Sequence, residues 1–153
     1  AAVPALALAL SGCATTATPP AAAAAARPAP GYTGAVSSAD PRASAAGEAI
    51  LAQGGTAVDA AIAVMLALTV VEPQSSGIGG GGFLVRADGA TGEVVSFDGR
   101  ETAPAAATPQ RFLDGSGKVL GREPRVFSGL SVGVPGNVAL AALAHEAHGK
   151  LPW

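Results

Sequence analysis

The sequence contains little charge, few aromatic side chains and almost no cysteine. Charged residues account for 13% of its 153 residues and the net charge is −2, so it lacks the basic surface that nucleic-acid binding requires. Aromatic residues account for only 4%, so a core must be built mainly from small aliphatic side chains, which favour closely packed helices. One cysteine is present, which excludes a disulfide within the chain.

The cysteine, Cys13, follows an apolar run and precedes a long stretch of small residues. Residues 1–10 and the following Ser-Gly-Cys are similar to the end of a bacterial lipoprotein signal peptide, whose cysteine becomes lipidated. Residues 14–38 are mostly Ala, Pro, Thr and Gly, with too little apolar surface to offset their conformational entropy. We therefore expect a signal remnant over 1–13, a disordered linker over 14–38 and a folded part over 39–153.

A lipid on Cys13 would attach the protein to a membrane. This predicts a location in the bacterial cell envelope, periplasmic or otherwise outside the cytoplasm, with the linker holding the folded part away from the bilayer. The apolar stretch 57–71 is itself too short to span a bilayer and contains Asp59. We expect this stretch to be a buried helix of the folded part.

Two helices are predicted at the start of the folded part. Asp40 followed by proline is typical of a helix start, and predicts a helix that runs to Gln53 and stops at two glycines. Thr56 and Asp59 have the spacing of a capping box, and predict a second helix over 57–71. The elements predicted beyond it are strands over 83–87 and 93–97 joined by the loop 88–92, a short helix from Thr108, a glycine-rich extended segment over 128–136 and a last helix over 137–148.

Four consecutive glycines, Gly79 to Gly82, stand between the second helix and the first strand. Glycine is needed where φ is positive or where another group approaches the main chain closely. With Gly77 the run matches the letters of a dinucleotide-binding motif, but that motif requires a strand before it and a helix after it. The order here is reversed, so the run predicts close packing and not nucleotide binding.

Two further patterns resemble catalytic motifs only in their letters. His145 and His148 are three residues apart, whereas the metalloprotease helix needs a spacing of four. We expect them on a solvated last helical turn, with no metal. Ser131 lies in a Gly-x-Ser-x-Gly string, but the helix that must follow a nucleophile elbow directly is delayed by Val-Pro-Gly.

The remaining candidate is Arg100, in the segment Asp-Gly-Arg-Glu that follows the second predicted strand. Its guanidinium presents a planar fork of donors that matches a carboxylate. Glu101 beside it could orient the guanidinium. The residues alone also allow an ordinary structural ion pair at a strand end, which is the more common arrangement.

Four segments together identify a family. They are Gln53-Gly-Gly-Thr-Ala-Val-Asp-Ala-Ala61, Val71-Glu-Pro-Gln-Ser-Ser-Gly-Ile-Gly-Gly-Gly-Gly-Phe83, Asp98-Gly-Arg-Glu-Thr-Ala-Pro104 and Ser131-Val-Gly-Val-Pro-Gly136. In order and spacing they resemble the start of the large subunit of γ-glutamyltranspeptidases. The family has asparagine where this sequence has Thr56, a departure that preserves the capping role.

The resemblance implies an α/β (α+β) fold, the N-terminal part of the four-layer αββα sandwich of an Ntn hydrolase, incomplete in this chain. It implies a precursor that cuts itself into a large and a small subunit and uses no cofactor. The nucleophilic threonine would lie beyond Trp153, so this chain would contain no catalytic residue and would be inactive alone. Arg100 would bind the α-carboxylate of a γ-glutamyl substrate such as glutathione, with Glu101 as a possible orienting residue.

Two other functions remain open at this point. One is a relative of the cephalosporin or glutaryl acylases, which share the fold and the processing but take another acyl group. The other is a lipid-anchored binding domain without catalysis. A glutaryl group also ends in a carboxylate, so Arg100 favours the γ-glutamyl substrate only slightly.

Overall fold

The structure, a computed structural model, describes residues 34–153. The predictions for residues 1–33, including lipidation at Cys13, lie outside the described residues. The elements are helix α1 (Pro41–Ala52), helix α2 (Ala57–Val71), strand β1 (Phe83–Ala87), strand β2 (Val94–Asp98), a short helix α3 (Arg122–Val126), a 3-10 turn (Gly129–Ser131) and helix α4 (Asn137–His148).

Helix α1 begins at the predicted cap. The Asp40 carboxylate accepts a hydrogen bond from the backbone N–H of Arg42 at 2.8 Å, and Pro41 occupies the first helical position. Hydrogen bonds from the side chain and backbone of Arg42 lower the pKa of Asp40 to about 2. The helix ends one residue earlier than predicted, and Gly54, with φ at 83°, takes the predicted left-handed conformation after it.

Helix α2 begins with the predicted capping box. The Thr56 backbone N–H donates to the Asp59 carboxylate at 2.7 Å, and the Asp59 N–H donates to the Thr56 hydroxyl at 3.2 Å. Asp59 is only 7% exposed and also accepts the N–H of Lys150 at 3.0 Å. Burial raises the pKa of Asp59, but these N–H groups outweigh it and the net pKa is lowered. An ionised Asp59 therefore ties the residues after α4 to the start of α2.

The helices pack through small side chains, as the composition predicts. A Cβ on Gly47 of α1 would lie 2.7 Å from Val64 of α2, so the two helices are in close contact. None of the helices in residues 34–153 has the length and apolar character needed to cross a bilayer. The buried apolar side chains, which come from α1, α2 and α4, are Ala43, Val58, Ala60, Ile62, Leu140, Ala141 and Ala144.

Strands β1 and β2 form the predicted antiparallel hairpin. Phe83 lies opposite Asp98 and Ala87 opposite Val94, so β2 begins one residue later than predicted. The inner face of the hairpin carries Leu84 and Phe97, which pack against the cluster between α2 and α4. Successive side chains of a strand point to opposite faces. The outer face is therefore exposed: Phe83 by 67%, Val85 by 68% and Val94 by 65%.

Two predictions between β2 and α4 were wrong. The predicted helix at Thr108 is replaced by turns, in which the Arg111 N–H donates to the Thr108 carbonyl at 3.0 Å. The chain then reverses so that Leu113 pairs with Val119, and this pairing prevents the helix from continuing. The segment 128–136 is extended only in part, because a 3-10 turn occupies its start. Helix α3 was not predicted, since no side chain caps its first turn.

We expect residues 34–153 to self-associate when they are produced alone. An antiparallel hairpin with an uncovered apolar face and two unpaired edges favours association. Size-exclusion chromatography should give multimers, and Val85→Lys should shift the distribution towards monomer, whereas Thr91→Lys in the hairpin loop should not. A monodisperse monomer of the unmodified segment would contradict this expectation.

Candidate substrate-binding site

The site is built on backbone contacts between the glycine run, the end of the hairpin and the start of α4. Gly82 and Gly99 exchange two backbone hydrogen bonds, at 2.9 and 3.2 Å, which extend the hairpin ladder. The Gly80 carbonyl accepts the N–H groups of Gly136 and Asn137 at 3.0 and 3.1 Å. Three of the segments that carry the family resemblance therefore meet at one point.

Close approach, and not unusual backbone angles, explains the glycines at this point. A Cβ on Gly81 would collide with the Gly99 carbonyl oxygen and would lie 2.6 Å from the Glu101 carboxylate. A Cβ on Gly136 would collide with the same Gly99 carbonyl. Among the described residues, none of the glycines in this contact has a positive φ. At Gly79, by contrast, a Cβ would have no neighbouring atom within 4 Å. Close packing therefore requires glycine at Gly81 but not at Gly79.

Arg100 and Glu101 lie next to this contact. The Arg100 backbone N–H donates to the Asp98 carboxylate at 2.9 Å, which fixes the turn after β2. Nη1 of Arg100 donates to the Glu101 carboxylate at 2.5 Å. The Arg100 side chain is 65% exposed and that of Glu101 28%. The guanidinium is thus held on one side and open to solvent on the other.

Glu101 stays ionised in this position. Its own backbone N–H, the charge of Arg100 and the N–H of Gly81 lower the pKa of Glu101, against the opposing effect of burial. A lowered pKa means that the carboxylate keeps its charge to a lower pH than an unperturbed glutamate does. The ion pair with Arg100 is therefore present at neutral pH.

The two side chains open into a cleft of 390 Å³. Thr102 lines the cleft and is fixed by a bridge to Val134, in which the Val134 N–H donates to the Thr102 carbonyl at 2.9 Å. Ser131 also lines the cleft, and its hydroxyl donates to the backbone carbonyl of Val126 at 3.0 Å. The proton of the Ser131 hydroxyl is thus directed to a backbone carbonyl and not into the cleft.

Arg111 lines the same cleft and was missed in the sequence. Its Nε donates to the Leu130 carbonyl at 2.6 Å and its Nη2 to the Gly129 carbonyl at 3.1 Å. Both partners are distant in sequence, and the segment around Arg111 was predicted as helix. No local pattern marks such a residue, so only the fold reveals it.

The two histidines of α4 lie elsewhere, and the predicted solvated turn is wrong for His145. This side chain is 19% exposed, with Nε2 at 2.8 Å from the Leu151 carbonyl and its ring at 5.2 Å from Trp153. His148 contacts Phe97 edge-on at 5.8 Å. Among the described residues, no three His, Cys, Asp or Glu side chains are grouped as metal ligands.

Comparison with known proteins agrees with the fold. The family model for gamma-glutamyltranspeptidase matches residues 43–153. Glutathione hydrolase proenzyme of Bacillus subtilis (strain 168) is 50% identical over 108 residues, which cover 71% of this chain and 18% of that relative. The gamma-glutamyltranspeptidase structure from Pseudomonas nitroreducens, complexed with L-DON, superposes with a TM-score of 0.73 at 38% identity, over 78% of this chain and 35% of that one. The Helicobacter pylori structure gives 0.72 at 42% identity, over 77% and 33%.

The chain belongs to the γ-glutamyltranspeptidase family. Its helices and hairpin match the corresponding part of the solved family structures, as an incomplete α/β fold should. The chain spans about 18% of the length of the Bacillus subtilis relative. The fold class and the family predicted from the four segments are thereby confirmed.

The glycine contact can be tested with a matched pair of substitutions. We expect Gly81→Ala, in the complete gene product that carries this chain, to lower the free energy of unfolding by about 1–3 kcal/mol or more, because its Cβ overlaps backbone atoms. Gly79→Ala should change it by less than about 1 kcal/mol, since nothing surrounds that position. Chemical denaturation measures both, and equal losses would rule out close approach as the explanation.

Proposed function

We propose that this chain supplies the carboxylate-binding part of a γ-glutamyl transferase and glutathione hydrolase. The observation that carries the proposal is the exposed guanidinium of Arg100, paired with Glu101 at a cleft and fixed by backbone contacts on three segments. Family membership supports it, as does the name glutathione hydrolase for a relative that is 50% identical. The substrates are γ-glutamyl amides, and the glutamyl group passes to water or to an amino acid or peptide.

In this proposal Arg100 binds the α-carboxylate of the γ-glutamyl group. The guanidinium offers N–H donors on its solvent side, while Glu101 holds its Nη1 and limits its rotation. The γ-amide then extends to a threonine at the start of the small subunit of the same precursor. That hydroxyl attacks the amide carbonyl, its own amine takes the proton and passes it to the departing amine, and an ester forms. Water or an acceptor amine cleaves the ester and releases the glutamyl group.

The role of Arg100 predicts a defect in substrate binding. Arg100→Ala in the complete gene product should lower kcat/KM for γ-glutamyl p-nitroanilide by about 10- to 150-fold, because a charge-assisted contact contributes about 1.5–3 kcal/mol. Self-cleavage into two subunits should be preserved, since Arg100 is exposed and acts on substrate. Initial rates and a denaturing gel measure the two properties.

A matched control and a second substrate separate this function from the alternatives. Arg122 contacts Phe127 at 5.6 Å, so Arg122→Ala should leave kcat/KM unchanged within about twofold. An acylase-like relative would cleave glutaryl p-nitroanilide, which carries a carboxylate but no α-amino group, faster than the γ-glutamyl compound. A non-catalytic binding domain would give no subunit cleavage and no turnover, and either result would disprove the proposal.

We also propose that a lipid on Cys13 anchors the protein in the bacterial cell envelope. The support is the sequence pattern of residues 1–13 and the composition of residues 14–38. Bacteria grown with labelled palmitate should incorporate label into the complete gene product, and Cys13→Ser should abolish incorporation and release the protein from the membrane fraction. Label that persists in Cys13→Ser would disprove lipidation at this residue.

A further inference from the structure

The cleft contains a second guanidinium for which the proposed reaction has no role. Arg111 lines the cleft together with Arg100 and Glu101. Among residues 34–153 it has no carboxylate partner, because the arginine–carboxylate pairs there are Arg42–Asp40, Arg86–Asp88 and Arg100–Glu101. A half-buried cation without a counter-ion is costly unless something else compensates its charge.

The backbone holds Arg111 in a fixed orientation. Its Nε and Nη2 donate to the carbonyls of Leu130 and Gly129 at 2.6 and 3.1 Å. A guanidinium has five N–H donors, so these two contacts leave most of the group available. An orientation fixed in advance reduces the entropy that a ligand must overcome on binding.

The charges of the cleft are not balanced. Among its lining residues the charged side chains are Arg100, Glu101 and Arg111. Glu101 compensates Arg100 at 2.5 Å, which leaves the charge of Arg111. A cleft of 390 Å³ is within the range of pockets that hold small molecules, and both arginines line it.

We propose that Arg111 is a specificity-determining residue that binds a second carboxylate, an inference that rests on the function proposed above. Arg100 holds the α-carboxylate of the γ-glutamyl group. Arg111 holds a carboxylate at the far end of the leaving part of the donor, or at the end of the acceptor peptide. The cleft therefore selects donors or acceptors that end in a carboxylate over the corresponding amides.

The donor arm of the test compares two substrates in the complete gene product. γ-Glutamyl-alanyl-glycine ends in a carboxylate, and γ-glutamyl-alanyl-glycinamide differs from it only in lacking that charge. Arg111→Gln should lower kcat/KM for the carboxylate by about 10- to 100-fold, mostly through KM, and for the amide by less than about twofold. Arg111→Lys, which keeps the charge, should retain part of the preference.

The acceptor arm identifies the other source of a carboxylate. With γ-glutamyl p-nitroanilide as a donor whose leaving part has no carboxylate, transfer to glycylglycine is compared with transfer to glycylglycinamide. A loss in Arg111→Gln confined to glycylglycine places the contact on the acceptor, and a loss confined to the donor arm places it on the leaving part. Either result supports the proposal.

The matched control is Arg125, whose Nε also donates to a backbone carbonyl, that of Gly121 at 3.3 Å, but which does not line the cleft. Arg125→Gln should leave all substrates unchanged. If Arg111→Gln lowers every rate equally, or lowers none, Arg111 only supports the backbone of residues 129–130 and the proposal is overturned. If the unmodified protein cleaves no γ-glutamyl compound at all, the proposed function itself fails and the inference fails with it.

Discussion

Contact between backbone and backbone, without any side chain between, is the constraint on which the rest of the structure depends. Gly81 and Gly136 both lie against the carbonyl of Gly99 at distances that exclude a Cβ. This contact joins the turn after α2, the end of β2 and the start of α4. Arg100 follows Gly99 directly, so its position is set by main-chain geometry and not by the packing of its own exposed side chain.

The Arg100–Glu101 ion pair lies directly beside this backbone contact. An exposed ion pair such as Arg100–Glu101 adds little to stability in water, but it holds Nη1 of the guanidinium on one side. Backbone N–H groups, including that of Gly81, lower the pKa of Glu101. The same glycine thus makes room for the backbone contact and helps to lower the pKa of the carboxylate that pairs with Arg100.

The sequence predicts those features of this chain that depend on near neighbours. The caps at Asp40 and Thr56, and the hairpin, follow from residues a few positions apart, and the structure confirms them. The helix expected at Thr108 failed because Leu113 pairs with Val119, a contact that propensity does not encode. His145 was misplaced because Asp59 holds the chain beyond α4, and Asp59 looks like a simple helix cap in the sequence.

Arg100 was found from its motif, whereas Arg111 was not. The difference has a physical origin, because Arg100 has its partner at the next position and Arg111 has its partners on a segment that only the fold brings near. A cleft formed by separate stretches of chain has no signature in any one of them. The charge imbalance of the cleft is therefore a property of the three-dimensional structure alone.

The glycine contact also determines how this protein can change by mutation. Every replacement for glycine adds at least a Cβ, so at Gly81, Gly99 and Gly136 each single substitution meets atoms that are already in place. Arg111, in contrast, faces a cleft, so a smaller side chain there loses the hydrogen bonds to the Leu130 and Gly129 carbonyls but meets no atom already in place. If Arg111 binds a second carboxylate as proposed, substrate preference can diversify one substitution at a time there, while the framework that positions Arg100 can be altered only by several compensating changes at once.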